Sequence, residues 1–309
     1  MSRRVWIALA VLVVSIGAVL VAAWIAAPTP GSLATRVHTR LAGTDGRAVP
    51  LTSVSPILRD AVVATEDERF YRHHGVDLLG VLRAIPYDLV HLSYAQGAST
   101  ITEQVGKLLY LNGNDHTPWR KLEDAMLALK LESRYDKERI LGAYLDTIYL
   151  GEGTYGVQAA SEHYFGVPTR RLDTAQASLL AGLIQAPSAY DPVLHPALAR
   201  ERQTEVLRSL VRDGYLTEQE ARAALARPLP LRAGPTLPGV TGVDLAPGPA
   251  FVWWELALGA VVALLGVVGL VASRLPRFRV AHGIVAVRVV TLVVVLLGTA
   301  AVLRSFRTA

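Results

Sequence analysis

A run of 23 residues without a single charge, Val5 to Ala27, opens the chain and stops at Pro28. At 1.5 Å per residue a helix of that length covers the ~30 Å hydrocarbon core of a bilayer, so the sequence predicts a membrane anchor. Arg3 and Arg4 precede it and place the N-terminus in the cytoplasm. A cleaved signal peptide would carry a shorter apolar region of about 7–15 residues, so a retained anchor is expected. A second apolar run, Phe251 to Ala272, carries Glu255, Trp253 and Trp254 near its outer end, where an interfacial aromatic belt would lie. The basic stretch Arg274–Arg279 follows. A third run, Ile284 to Leu303, is interrupted by Arg288, which is close enough to the basic stretch to snorkel back to it. A re-entrant or interfacial third helix is the alternative. Only 18% of the 309 residues are charged, against about 25% in a soluble domain, which agrees with part of the chain lying out of water.

Four regions follow: residues 1–31, cytoplasmic N-terminus and anchor; 32–226, an extracytoplasmic domain; 227–249, a Pro/Gly-rich tether without apolar periodicity; and 250–309, two C-terminal membrane helices joined by a basic cytoplasmic loop. The middle domain reads as mainly α. Ser55-Pro56 and Thr117-Pro118 each offer an N-cap followed by Pro at N1. Ile140, Leu141, Tyr144, Leu145 and Ile148 fall at helical spacing. Asp173 with Gln176, and Thr217 with Glu220, have the form of capping boxes. His195-Pro196 opens a further helix that closes at Gly214. Arg47–Leu51 is the best candidate for a small hairpin. The chain has no cysteine, which excludes disulfides, thiolate metal sites and a cysteine nucleophile. A net charge of +5 without a basic block of five or more residues points away from nucleic acid and toward a membrane surface or a phosphate-bearing substrate.

Three constellations carry chemistry. In Glu66–Gly75, Glu66 falls at the C-terminal end of the helix begun at Pro56. The helix dipole there disfavours a carboxylate and raises its pKa, which suits general acid or base work. The same residues also suit a solvated helix end. In Gln96–Gln104, a small Gly-containing loop runs into a helix N-terminus with Lys107 two turns on, a way of presenting N–H groups to phosphate. Thr100 with Glu103 fits equally a capping box that needs no ligand. In Arg120–Asp124, Arg120, Lys121 and Asp124 share one helix face, as a phosphate clamp or an ordinary surface ion pair would.

Taken in order, these segments resemble the peptidoglycan glycosyltransferases of family 51, found in bifunctional penicillin-binding proteins and in monofunctional enzymes. Glu66, Asp67, Phe70, His73 and Gly75 match that family's E-D-x-x-F-x-x-H-x-G. Gly97, Ser99, Thr100, Ile101, Thr102, Gln104 and Lys107 match G-x-S-T-[IL]-T-Q-Q and the lysine beyond it. Arg120 and Lys121 match R-K-x-x-E. Arg139-Ile140-Leu141 with Tyr144-Leu145 resembles the fourth motif, and Ala175-Gln176 through Gln185-Ala186-Pro187 the last. The likeness spans about Val54 to Pro228. Of the four lysines in the chain, Lys107 and Lys121 fall on motif positions, which argues against coincidence in so arginine-rich a sequence.

The resemblance implies a lysozyme-like α domain with a small membrane-apposed lobe, flanked by transmembrane helices. It implies polymerisation of lipid II into β-1,4 glycan strands at the outer face of a bacterial cytoplasmic membrane. Glu66 would take the proton from the acceptor 4-hydroxyl, which attacks the anomeric carbon of the growing chain with inversion. Lys107, Arg120 and Lys121 would stabilise the departing pyrophosphate. Asp67, Phe70, His73, Gly97, Ser99, Thr100 and Gln104 would bind substrate, and Asp124 would act with Glu66 as a catalytic carboxylate. Mg²⁺ or another divalent cation would ride on the pyrophosphate, since the sequence holds no metal-ligand cluster of its own. Partners would be lipid II, the growing glycan chain, the membrane and other membrane-bound cell-wall enzymes, with no nucleic acid. No transpeptidase signature follows Pro228, so a penicillin target is not expected. Three residues depart from the pattern: Glu103 replaces Gln, Asp124 replaces Glu (Glu123 lies about 100° away on the helix), and Asp146 replaces Asn. Glu103 and Asp124 keep open the alternative of a catalytically weakened lipid II-binding scaffold, and the implied lysozyme-like fold keeps open a glycan-strand hydrolase, against which the Lys/Arg motif set speaks.

Overall fold

The computed structural model describes residues 3–80, 99–111, 117–232 and 234–245, with side chains from residue 10 onward. All but 78–80 belong to one compact unit, Met1–Asp77 with Ser99–Pro247; Leu78–Ala98 and Gly248–Ala309 make up a second. Gly97, both C-terminal apolar runs and the basic loop therefore lie outside the described residues.

The described part is helical: α1 (Arg3–Ala26), α2 (Leu33–Leu41), α3 (Pro56–Glu66), α4 (Ile101–Leu109), α5 (Pro118–Glu132), α6 (Lys137–Thr147), α7 (Val157–Phe165), α8 (Thr174–Leu183), α9 (Pro196–Arg212) and α10 (Glu218–Ala226). Local chemistry sets most of these boundaries. Thr100, Asp173 and Thr217 each close a full capping box with the residue three on, and Thr117 and Asp136 cap α5 and α6 through their side chains. At Ser55 the cap differs from expectation. Its hydroxyl donates to the Leu172 carbonyl at 3.1 Å instead, tying the start of α3 to the segment before α8.

Helix α3 packs on α8 and α9, and α4 on α5 and α6. Leu58, Ala61 and Val62 of α3 meet Leu180 of α8 and Val206, Leu207 and Leu210 of α9 in a core that also holds Ile101, Val105, Leu127, Leu131, Ile140 and Tyr144. Backbone pairing among the described residues is limited to isolated bridges, at His74–Val76, Tyr149–Tyr155 and Leu229–Leu237. The hairpin expected over Arg47–Leu51 does not form. The Val49 N–H donates to the Asp146 carboxylate at 3.0 Å rather than to a strand, and Leu51–Ser53 is a 3-10 turn.

The segment from 227, expected as a semi-extended tether, is docked through its leucines. Leu229, Leu231, Leu237 and Leu245 are buried. Leu229 and Leu237 exchange N–H···O bonds of 2.9 and 2.8 Å, and the Val240 N–H donates to the Leu225 carbonyl at 3.0 Å. Helical periodicity is the wrong test for an extended strip that docks one leucine at a time.

The first apolar run is helical from Arg3 to Ala26. Among the described residues no helix is long and apolar enough to cross a membrane.

Candidate active site

Glu66 is the last residue of α3. Burial pushes its carboxyl above the ordinary range. The hydrogen bond from Gln104 and the charge of Arg202 pull it back, and Asp67 pushes it up again. The Gln104 Nε2–H donates to Glu66 Oε2 at 2.9 Å. The other end of that amide, Oε1, accepts from the hydroxyl of Tyr144 at 2.8 Å, and Tyr144 is fully buried on α6. With Tyr144 donating to Oε1, Gln104 must present its NH₂ to Glu66, so the relay fixes the amide's orientation.

Asp67 turns away from the cleft. Both its oxygens meet His73 Nε2, at 2.9 and 3.0 Å, and Oδ2 also accepts the Ile101 N–H at 3.0 Å. The Thr100 hydroxyl donates to the Gly75 carbonyl at 2.6 Å and accepts the Glu103 N–H at 3.1 Å. Phe70 is fully buried beneath this loop, with Lys137 Nζ 4.3 Å above its ring. Asp67, Phe70, His73 and Thr100 are thus brought together, but as a buried frame that locks the Glu66 loop to the start of α4. Gly75 is part of that frame. Its φ is +89°, and an added Cβ would stand 2.8 Å from the Ala128 carbonyl group.

Gln104 and Lys107 are three residues apart on α4, hence on one face. Lys107 Nζ lies 3.3 Å from Asp124 Oδ2, and Arg120 Nε 3.4 Å from Asp124 Oδ1. Both exceed the 2.7–2.9 Å of a strong charge-assisted bond, as a carboxylate one methylene short would give. Glu123 cannot substitute, being bonded to the Trp119 indole at 2.8 Å on the exposed side. Lys121 is engaged differently: its Nζ donates to Ser99 Oγ at 2.8 Å and to Glu103 Oε2 at 2.9 Å. The unusual Glu103 is therefore neutralised where it sits, as capping partner of Thr100 and counter-ion of Lys121. Asp146 stands elsewhere. Its Oδ1 meets Val49, and it lies two residues from Tyr144, about 200° around α6.

Two residues of the site were not marked by any local signal. Arg202, on α9, acts on Glu66 through its charge, and its Nε is buried without a hydrogen-bond partner. Arg212, on the same helix, donates to the Ala64 carbonyl in the last turn of α3 at 3.1 Å and lies 3.3 Å from Glu68. Each reaches the site only because α9 packs on α3.

The described helices thus bring a shielded glutamate at the end of α3 together with a Lys–Asp–Arg group drawn from α4 and α5. Residues 34–211, more than half of the chain, match the transglycosylase family. The chain belongs to that family. Penicillin-binding protein 1A of Neisseria lactamica is 44% identical over 169 residues, covering 55% of this chain and 21% of that protein. Penicillin-binding protein 1F of Bacillus subtilis (strain 168) is 38% identical over 183 residues, covering 59% and 26%. The chain thus spans about a fifth to a quarter of the length of these relatives. A crystal structure of penicillin-binding protein 1A from Haemophilus influenzae aligns with 61% of this chain and 18% of its own, at 23% identity and a TM-score of 0.37.

Proposed function

We propose that this protein is a peptidoglycan glycosyltransferase that polymerises lipid II into β-1,4 glycan strands with inversion, on a lysozyme-like domain. The observation that carries the reading is the Tyr144–Gln104–Glu66 relay beside the Lys107–Asp124–Arg120 group. Burial makes Glu66 a stronger base toward the acceptor's 4-hydroxyl proton, and the Gln104 hydrogen bond favours its ionised form. As the glycosyl–oxygen bond breaks, charge collects on the pyrophosphate, where Lys107 and Arg120 supply positioned cations. Lys121 contributes through the Ser99 loop it holds.

The cleft does not fit a divalent cation held by the protein. Asp124 is flanked by two cations, and among the described residues no group of three or more His, Asp or Glu is placed to hold a metal. A cation carried by the substrate pyrophosphate is part of this proposal, and no step is derived through it. Membrane attachment through α1 is also part of it, supported by the exposure of Val11, Val13, Val14, Val21 and Ile25 along that helix. On this reading the domain works outside the cytoplasm, beside other membrane-bound cell-wall enzymes.

The test is polymerisation of labelled lipid II, with digestion of the product by a glycan-strand hydrolase, in the parent and in Glu66→Gln. Removing one general base costs about 10²–10⁴ in rate. A parent no more active than Glu66→Gln would overturn the proposal in favour of a non-catalytic binder.

A further inference from the structure

An open pocket of about 900 Å³ lies between α2, the 46–51 segment and α6, and none of its lining residues belongs to the cleft described above. That volume is in the upper part of the range of small-molecule sites. Leu33, Val37, Leu41, Leu51 and Ala143 give it an apolar wall. Asp146 also lines it. This carboxylate is 8% exposed, and only its Oδ1 has a partner, the Val49 N–H. Its Oδ2 is not sealed from solvent, so a cationic donor entering the pocket can form a charge-assisted hydrogen bond with it. Arg47 and Arg139 turn to carboxylates on the exposed rim, Glu162 and Asp136, while His38 and Glu138 complete the ionisable lining and Asp146 is its buried carboxylate. The pocket therefore favours a cation over an anion. Its edge includes Ser32 and Leu33, a few residues beyond the exposed apolar helix α1.

We propose that this pocket binds an amphiphilic amine, its ammonium group on Asp146 and its apolar chain along α2. Two sources share that chemistry, a membrane lipid with an amine headgroup and a free long-chain amine. The siting beside α1 rests on the membrane reading of that helix; the pocket itself does not.

The experiment uses the full-length protein in nanodiscs of phosphatidylglycerol, with hydrogen–deuterium exchange read on peptides from α2 and α6. One arm adds n-decylamine, with n-decanol and decanoate as matched controls. A second arm dopes the nanodisc with phosphatidylethanolamine. Two variants accompany the parent. Asp146→Asn keeps an acceptor for Val49 but loses the charge. Gly142→Leu places a side chain into the pocket from a position where an added Cβ meets nothing within 4 Å, on a helix that gains from losing glycine. Decylamine should protect both peptides where decanol and decanoate do not. Asp146→Asn should weaken it by about tenfold or more, the worth of one charge-assisted hydrogen bond, and Gly142→Leu should abolish it. Protection by phosphatidylethanolamine identifies a membrane lipid as the source, and protection by decylamine alone identifies a free amine. Equal protection by decanol, indifference to Asp146→Asn, or no protection in either arm would overturn the proposal. None of these results bears on polymerisation, so the pocket and the glycosyltransferase reading fail independently.

Discussion

Replacing Gln104 with Leu removes the one side-chain donor bonded to Glu66 among the described residues while nearly keeping its volume. That bond is made to a carboxylate, and hydrogen bonds to charged groups contribute about 1.5–3 kcal/mol. Its loss therefore lifts the Glu66 pKa further above a position that burial has already raised. The base works only when ionised, so the sign is fixed. The acid limb of kcat against pH moves upward. Rates in the acid limb fall by about tenfold or more, and the plateau at high pH falls far less. Tyr144→Phe is the graded companion. It leaves the Gln104 N–H on Glu66 but frees the amide to rotate, so its acid limb shifts in the same direction by less. Lipid II polymerisation followed across pH, with kcat separated from KM, reads both. An unmoved acid limb in Gln104→Leu, or a uniform loss at every pH, would refute the view that Gln104 tunes the base.

Three further outcomes are expected. Asp124→Ala strands two cations and should reduce polymerisation strongly, whereas Asp124→Glu, by adding about 1.5 Å of reach, should preserve or raise it; misplacement of about 1 Å is worth on the order of 10²-fold. Gly75→Ala meets both a φ of +89° and the Ala128 carbonyl, and should lower stability by at least about 1–3 kcal/mol in chemical denaturation. Burial raises Asp146 from 3.8 to about 6. The folded state therefore binds its proton more tightly than the unfolded chain does, and stability is lost as pH rises from about 4 to 6. Asp146→Asn should gain up to about 3 kcal/mol at pH 7, and that gain should vanish near pH 4.

What could be read in the sequence was whatever is settled within a few residues. Thr100, Asp173 and Thr217 announce their capping boxes because cap and partner are three apart. Glu66 sits at a helix end because Pro56 and the apolar spacing of α3 put it there. The motif likeness located the Lys107, Arg120 and Asp124 positions before any geometry was known. Pairings across the chain stayed hidden. Glu103 looked like an unwelcome charge beside a phosphate, and only the packing of α4 on α5 brings Lys121 to it. Asp146 is the second added charge, and the turn of α6 decides its place: Tyr144 faces Gln104, whereas Asp146 faces Val49. Phe70, His73 and Thr100 carry motif identity without touching the cleft, since a motif records what a site needs and does not separate frame from surface. Arg202 carries no local signal at all.

The short stretch joining α1 to α2 is held from several sides. Lys130 Nζ donates to the carbonyls of Trp24 and Ala27 at 2.7 and 2.6 Å, Arg134 to that of Pro30 at 2.8 Å, and the hydroxyls of Tyr135 and Tyr110 to that of Gly31 at 2.7 and 3.1 Å. A free joint of this length would let the globular part swivel through a wide cone. Fastened in this way, α1 behaves as the shaft of a fixed bracket. Whatever surface holds the shaft also sets the height and bearing of the cleft, so on the proposed glycosyltransferase reading a growing polymer would leave Glu66 in one direction at every addition instead of being re-aimed by thermal wobble.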